Sequence, residues 1–193
     1  MISMYKKAAS YNKKNIAYQK TNGICIICSR QVSSDMEKWS VEHYIPRAIY
    51  KWVPSQQLRD VLESVENLFI VHQKCNERKD ADLPTIKSIH HLPISSELKL
   101  ELLQLYKSVE SEISEYRAIK QSVLSSQNAL CYFCNHKICM LNSTLRRLDN
   151  KKQRIATNAM CLCLSCSIRA GNPSYKRKIV KQKLSNSNIK PEK

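Results

Sequence analysis

The sequence predicts an α+β chain made of two small metal-braced units joined by one long helix. Three observations predict it. Cysteines fall in C-x2-C pairs at Cys25–Cys28, Cys131–Cys134 and Cys163–Cys166, and His72–Cys75 repeats that spacing with mixed ligands. Two segments of the first half resemble two of the second half, in the same order. Between them lies a stretch of apolar residues at helical spacing.

A pair at C-x2-C spacing brings two thiolates, or a thiolate and an imidazole, to one tetrahedral Zn²⁺. The opening residues MISMYKKAASYNKKN lack the apolar core of a secretory signal, so the chain reads as intracellular. Thiols stay reduced there, and nine cysteines then argue for metal binding over a disulfide scaffold. The repeat assigns the ligands. TNGICIICSRQV (Thr21 to Val32) matches QNALCYFCNHKI (Gln127 to Ile138), and NLFIVHQKCNERK (Asn67 to Lys79) matches NAMCLCLSCSIRA (Asn158 to Ala170) without gaps. His72 falls on Cys163 and Cys75 on Cys166, as expected of a duplicated zinc-bound unit. One structural zinc is assigned to Cys25, Cys28, His72 and Cys75, the other to Cys131, Cys134, Cys163 and Cys166. Cys139 and Cys161 are left over and are expected to be buried as small apolar residues.

The division that follows is a first domain over 1–94, a helical linker over 95–127, a second zinc-binding repeat over 128–171 and a tail over 172–193. Ser96 with Glu97 and Glu101 reads as a helix start. Leu98, Leu102, Leu105, Val109, Ile113, Tyr116 and Val123 continue it as one apolar stripe. Packing of that stripe on the chain's own domains is the preferred reading, and a homodimer built on it is the alternative. The tail is basic and poor in core residues, so it is expected to be disordered and to add phosphate contacts.

The formal net charge is +16, a field that attracts polyanions, of which nucleic acid is the commonest. A membrane surface is the competing partner, but no apolar run is long enough to span a bilayer. With only 2 glycines and no GxxxxGK[ST] or GxGxxG stretch, a glycine-rich phosphate loop is excluded.

WSVEHYIPRA (Trp39 to Ala48) reads as a strand and a loop, with Trp39 and Val41 on one face and Ser40 and Glu42 on the other. NLFIV (Asn67 to Val71) is a second strand, and HQKCNERKDAD opens a helix that ends before Pro84. From Cys25 to Lys79 the chain resembles an HNH (ββα-metal) endonuclease domain: a C-x2-C knuckle, E-H-x-I-P, then N-L-x3-H-x2-C-N-x2-K. The resemblance implies a zinc-stabilised ββα-metal unit that hydrolyses DNA with catalytic Mg²⁺ or Mn²⁺. It makes His43 the general base and Glu42 and Asn76 the metal ligands, with Asn67 holding the loop that orients the histidine. Imidazole suits proton removal from water near neutral pH, and oxygen donors suit a hard cation that stabilises phosphorane charge. Arg47 and Lys79 are candidate phosphate contacts. In the second repeat, LRRLDN (Leu145 to Asn150) taken as the matching strand puts Asp149 at the Glu42 position and Asn150 at the His43 position. Ser167 and Ala170 replace Asn76 and Lys79. That half therefore reads as a degenerate, zinc-bound ββα-like unit without a base, whose role is structural or is DNA binding through Arg146, Arg147, Lys151, Lys152 and Arg154. The alternative for the whole chain is a non-catalytic, zinc-dependent nucleic-acid-binding protein with a decayed HNH fold.

Overall fold

The computed structural model describes residues 12–32, 39–79 and 83–187, without the side chains of 77–79, 186 and 187. The chain forms two compact units, Met1–Glu115 and Tyr116–Lys193. Both mix helices with a small antiparallel sheet, which makes the protein α+β. Among the described residues no helix is long and apolar enough to cross a membrane.

Unit 1 begins with helix α1 (12–20) and a knuckle that turns through left-handed Asn22, Gly23 and Ser29. Strand β1 (Trp39–His43) follows, then helices α2 (Arg47–Trp52) and α3 (Gln56–Glu63), strand β2 (Leu68–His72) and helix α4 (Gln73–Lys79). Ser55 caps α3 by accepting a hydrogen bond from the Leu58 N–H, which fixes where that helix starts after Pro54. The apolar run Leu68–Val71 is buried on both faces, and it pairs with β1 in a register from Trp39 opposite His72 to His43 opposite Leu68. Ile45, Ile49 and Leu58 are fully buried, as are Phe69 and Ile70 of β2. Helices α5 (Ile86–His90), opened by a capping box between Thr85 and Ser88, and α6 (Ser96–Ser108) complete the unit.

Unit 2 repeats the plan with fewer parts. Helix α7 (Glu110–Ser126), which belongs to this unit from Tyr116 onward, leads into a knuckle with left-handed Asn128, Ala129 and Asn135. Strands β3 (Ser143–Arg147) and β4 (Ala159–Cys163) pair from Ser143 opposite Cys163 to Arg147 opposite Ala159, and helix α8 (Leu164–Arg169) follows. No helix like α2 or α3 lies between its strands. Leu145, Met160, Cys161 and Leu162 are buried at the centre.

Three expectations change. The linker is two helices, α6 and α7, interrupted at Val109, where ψ of 22° departs from helical geometry. Its stripe is still largely inside: Leu102, Val109, Ile113, Tyr116 and Val123 are buried within the chain. The basic tail carries a helix, α9 (Pro173–Ser187). Asn172 caps it, its Oδ1 accepting from the N–H groups of Ser174 and Tyr175, and Pro173 takes the first-turn position that lacks a donor anyway. Tyr175 then packs edge-on against Phe133 at 6.0 Å, so the tail gains a contact its composition did not advertise. Residues 188–193 lie outside the described residues. Finally, Cys161 is buried as expected, but Cys139 is exposed.

Candidate functional site

Each knuckle delivers its two cysteines by the same hydrogen bonds. The Cys25 N–H donates to Arg30 O and the Ser29 N–H to Cys25 O, as those of Cys131 and Asn135 do to His136 O and Cys131 O. The Ile26 N–H reaches Ile70 O on β2, and the Tyr132 N–H reaches Cys161 O on β4, which ties each knuckle to its hairpin. The remaining two ligands stand where the second strand passes into a helix. Cys25, Cys28, His72 and Cys75 thereby gather with all ligand atoms within 4.8 Å of one another, as do Cys131, Cys134, Cys163 and Cys166. Both groups can hold a metal ion, and four soft donors at this spacing suit tetrahedral zinc.

His72 presents Nδ1 to the first group, 3.4 Å from Cys28 Sγ, while its Nε2 lies 3.1 Å from Gln31 O. A proton on Nε2 donated to that carbonyl leaves the Nδ1 lone pair for a metal, a common arrangement for ligating histidines. The thiols divide into donors and acceptors. Burial opposes ionisation of Cys28, but the Arg30 N–H and guanidinium outweigh it and bring the thiol down to about 6. Burial, then bonds to Cys28 and Cys25, push Cys75 up to about 11. In the second group Cys131 is also buried, yet N–H groups of Cys134, Cys163 and Phe133 bring it down to about 7, while burial and neighbouring thiols raise Cys166. Four thiols so close cannot all ionise unaided, and a dication removes that conflict.

The residues matched to the HNH pattern surround the end of β1. Asn67 is fully buried and clamps the loop after His43. Its Oδ1 accepts from the Ile45 N–H at 2.8 Å, its Nδ2 donates to Ile45 O, and its own carbonyl accepts from the Tyr44 N–H. Asn76, on α4, donates from Nδ2 to Ser40 Oγ at 3.1 Å. Strand alternation puts Glu42 with Ser40 on the face that α4 covers, and His43 with Trp39 and Val41 on the other. His43 lines an open cleft of about 970 Å³, together with Trp39, Tyr50, the cations Lys13, Lys14, Arg47, Lys51 and Arg59, and one acid, Glu63. Of these cations only Arg47 was singled out from sequence. The one-turn spacing of Arg47 and Lys51 was the available signal. Lys79 ends α4, but its side chain lies outside the described residues.

The strand register corrects the equivalences expected in unit 2. Asn158, buried like Asn67, accepts on Oδ1 from the Asp149 N–H, donates from Nδ2 to Asp149 O, and accepts on its carbonyl from the Leu148 N–H. Leu148 and Asp149 therefore occupy the places of Tyr44 and Ile45. The strand pairing agrees: Arg147 lies opposite Ala159 as His43 lies opposite Leu68. Arg146 and Arg147, and not Asp149 and Asn150, stand where unit 1 has Glu42 and His43. Ser167 does stand in the Asn76 position, and it accepts hydrogen bonds from Arg146 Nε at 3.1 Å and Nη2 at 3.0 Å. Comparison with protein-family models, curated proteins and solved structures gives no match for this chain.

Proposed function

We propose that unit 1 is a divalent-metal-dependent endonuclease that hydrolyses DNA phosphodiester bonds, with zinc bracing both units. The observation that carries the reading is His43, at the end of β1 just before the loop clamped by buried Asn67, lining a cleft with five cations and one carboxylate, Glu63. Lysine and arginine side chains around such a cleft bind the phosphate backbone and bring a scissile phosphate to the imidazole. His43 takes the proton from the attacking water. Asn67 fixes the backbone at Tyr44 and Ile45, and so sets the position of the ring just before them. Glu42 and Asn76 would hold Mg²⁺ or Mn²⁺. With Nδ2 of Asn76 engaged on Ser40, Oδ1 is the amide atom left for a hard cation. Bound there, such a cation supplies charge stabilisation for the phosphorane and the leaving oxygen.

Plasmid cleavage with Mg²⁺ or Mn²⁺ tests this, with wild type compared to His43→Ala. The expected result is nicked or linear product from wild type and little from the variant. No cleavage by wild type with either metal, or equal cleavage by both proteins, overturns the proposal in favour of a zinc-dependent nucleic-acid-binding protein without activity.

A further inference from the structure

We propose that unit 2 has converted the position of the catalytic pair into an anion site, where Arg146, Arg147 and Lys176 grip one backbone phosphate of a nucleic acid. The exchange of Glu42 for Arg146 and His43 for Arg147 reverses the charge of the position on an otherwise repeated scaffold. The hydrogen-bond partners of these cations are neutral. Arg146 is steered by the Ser167 hydroxyl, Arg147 Nη1 donates to Lys152 O at 3.1 Å, and Lys176 Nζ donates to Asn150 Oδ1 at 2.7 Å. Serine, amide and carbonyl oxygens orient a cation without cancelling its charge. Half-buried Arg154 adds a fourth cation acting on Arg147. Asp149 offsets only part of this charge, and its Oδ1 is also engaged by the Lys151 N–H.

Lys176 is the telling member. It is only 6% exposed, where a lone ammonium is costly, and α9 holds it there through the Asn172 cap and the Tyr175–Phe133 contact. Its pKa is lowered, first by burial and then by Arg147 and Arg146. A phosphate brought to these groups relieves the mutual repulsion, and guanidinium forks fit its oxygens in pairs. The net charge of +16 favours a polyanion as the carrier of that phosphate.

The inference does not depend on cleavage, and its test is run without added divalent metal. Binding of the full chain to a labelled DNA duplex is followed by fluorescence anisotropy across a salt series. Arg146→Gln/Arg147→Gln is compared with wild type and with Lys87→Gln/Lys107→Gln, which removes equal charge from exposed sites in unit 1. The expected loss is about tenfold in affinity, with the salt slope lower by about one, beyond the control. A change no larger than the control's overturns the site. Wild type supplies a second measurement that needs no variant: the duplex should shield Arg146 and Arg147 from phenylglyoxal while exposed Arg169 and Arg177 still react. Shielding by inorganic phosphate but not by duplex would mean a small-anion site and would overturn the nucleic-acid assignment. Wild-type cleavage with Mg²⁺ is scored separately: affinity lost in the arginine variant, with no cleavage by wild type, would leave this site standing and overturn only the nuclease reading.

Discussion

Units 1 and 2 share a knuckle, a strand pair, a buried asparagine and the placement of four metal ligands, and they differ where chemistry would occur. Unit 1 has Glu42, His43 and Asn76; at the same register unit 2 has Arg146, Arg147 and Ser167. The exchanged positions are less buried than the residues that fasten the strands. Arg146 is exposed and Arg147 half-buried, whereas Asn67 and Asn158, which fasten the strand to its loop, are buried in both copies. Duplicated folds are held by such fasteners, and the positions they present are left to diverge.

The largest effect should come from breaking each metal group in turn. Cys75→Ala and Cys166→Ala should each lower zinc content from two ions per chain to one. Each should also unfold mainly its own unit, since a structural zinc contributes about 10–16 kcal/mol in small zinc peptides. Hydrogen exchange read separately over 12–115 and 116–187 checks this, and loss of both units from one variant would show that they are not independent. Next, His43→Ala should cut cleavage by about 10²–10⁴. Arg147→Ala should act on binding instead, raising the DNA concentration needed for half-maximal cleavage. Equal losses in turnover would erase the functional contrast between the strands.

Asn67→Ala should cost about 2–3 kcal/mol, because it leaves the buried backbone groups of Ile45 without partners. Asn158→Ala should cost less, as chemical denaturation would reveal, because its partners on exposed Asp149 and Gln153 can turn to water. Lys20 is a unit 1 feature. Its ammonium donates to Val65 O and Glu66 O, and burial, only partly countered by Glu66 and Glu101, brings its pKa down to about 8 from 10.5. The folded value lies below the unfolded one, so between those pH values the unfolded chain holds more protons and stability rises with pH. Lys20→Met should flatten that rise in the melting curve. Smallest are the knuckle turns. Gly23 and Ala129 share left-handed φ values of 72° and 55°, so Ala129→Gly should stabilise unit 2 by about 1 kcal/mol and Gly23→Ala should destabilise unit 1 by more. The added methyl at Gly23 would also meet Gln31 and Tyr18.

The ligand groups were legible because metal spacing is local and the repeat assigns the distant partner. The strand of unit 2 was not. Leu145 to Asn150 offered an acid in a tempting place, but the register is set by Asn158 hydrogen bonds and β4 pairing, which come from further along the chain. The break at Val109 has no proline or glycine to announce it. The start of α9 did have a signal, Asn172 before Pro173, but a basic composition outweighed it in the reading. The cleft cations come from α1, α2 and α3, which only folding brings beside β1.

The segment between paired strands also bears on the order in which the halves fold. Unit 2 joins β3 to β4 through residues 148–158, while unit 1 places α2 and α3 between β1 and β2. Closing the shorter span sacrifices less chain entropy, at roughly 0.6 kcal/mol per doubling of loop length. The second hairpin should therefore zip faster, while synthesis releases the first one earlier. A ribosome making this protein gives the slower half its head start.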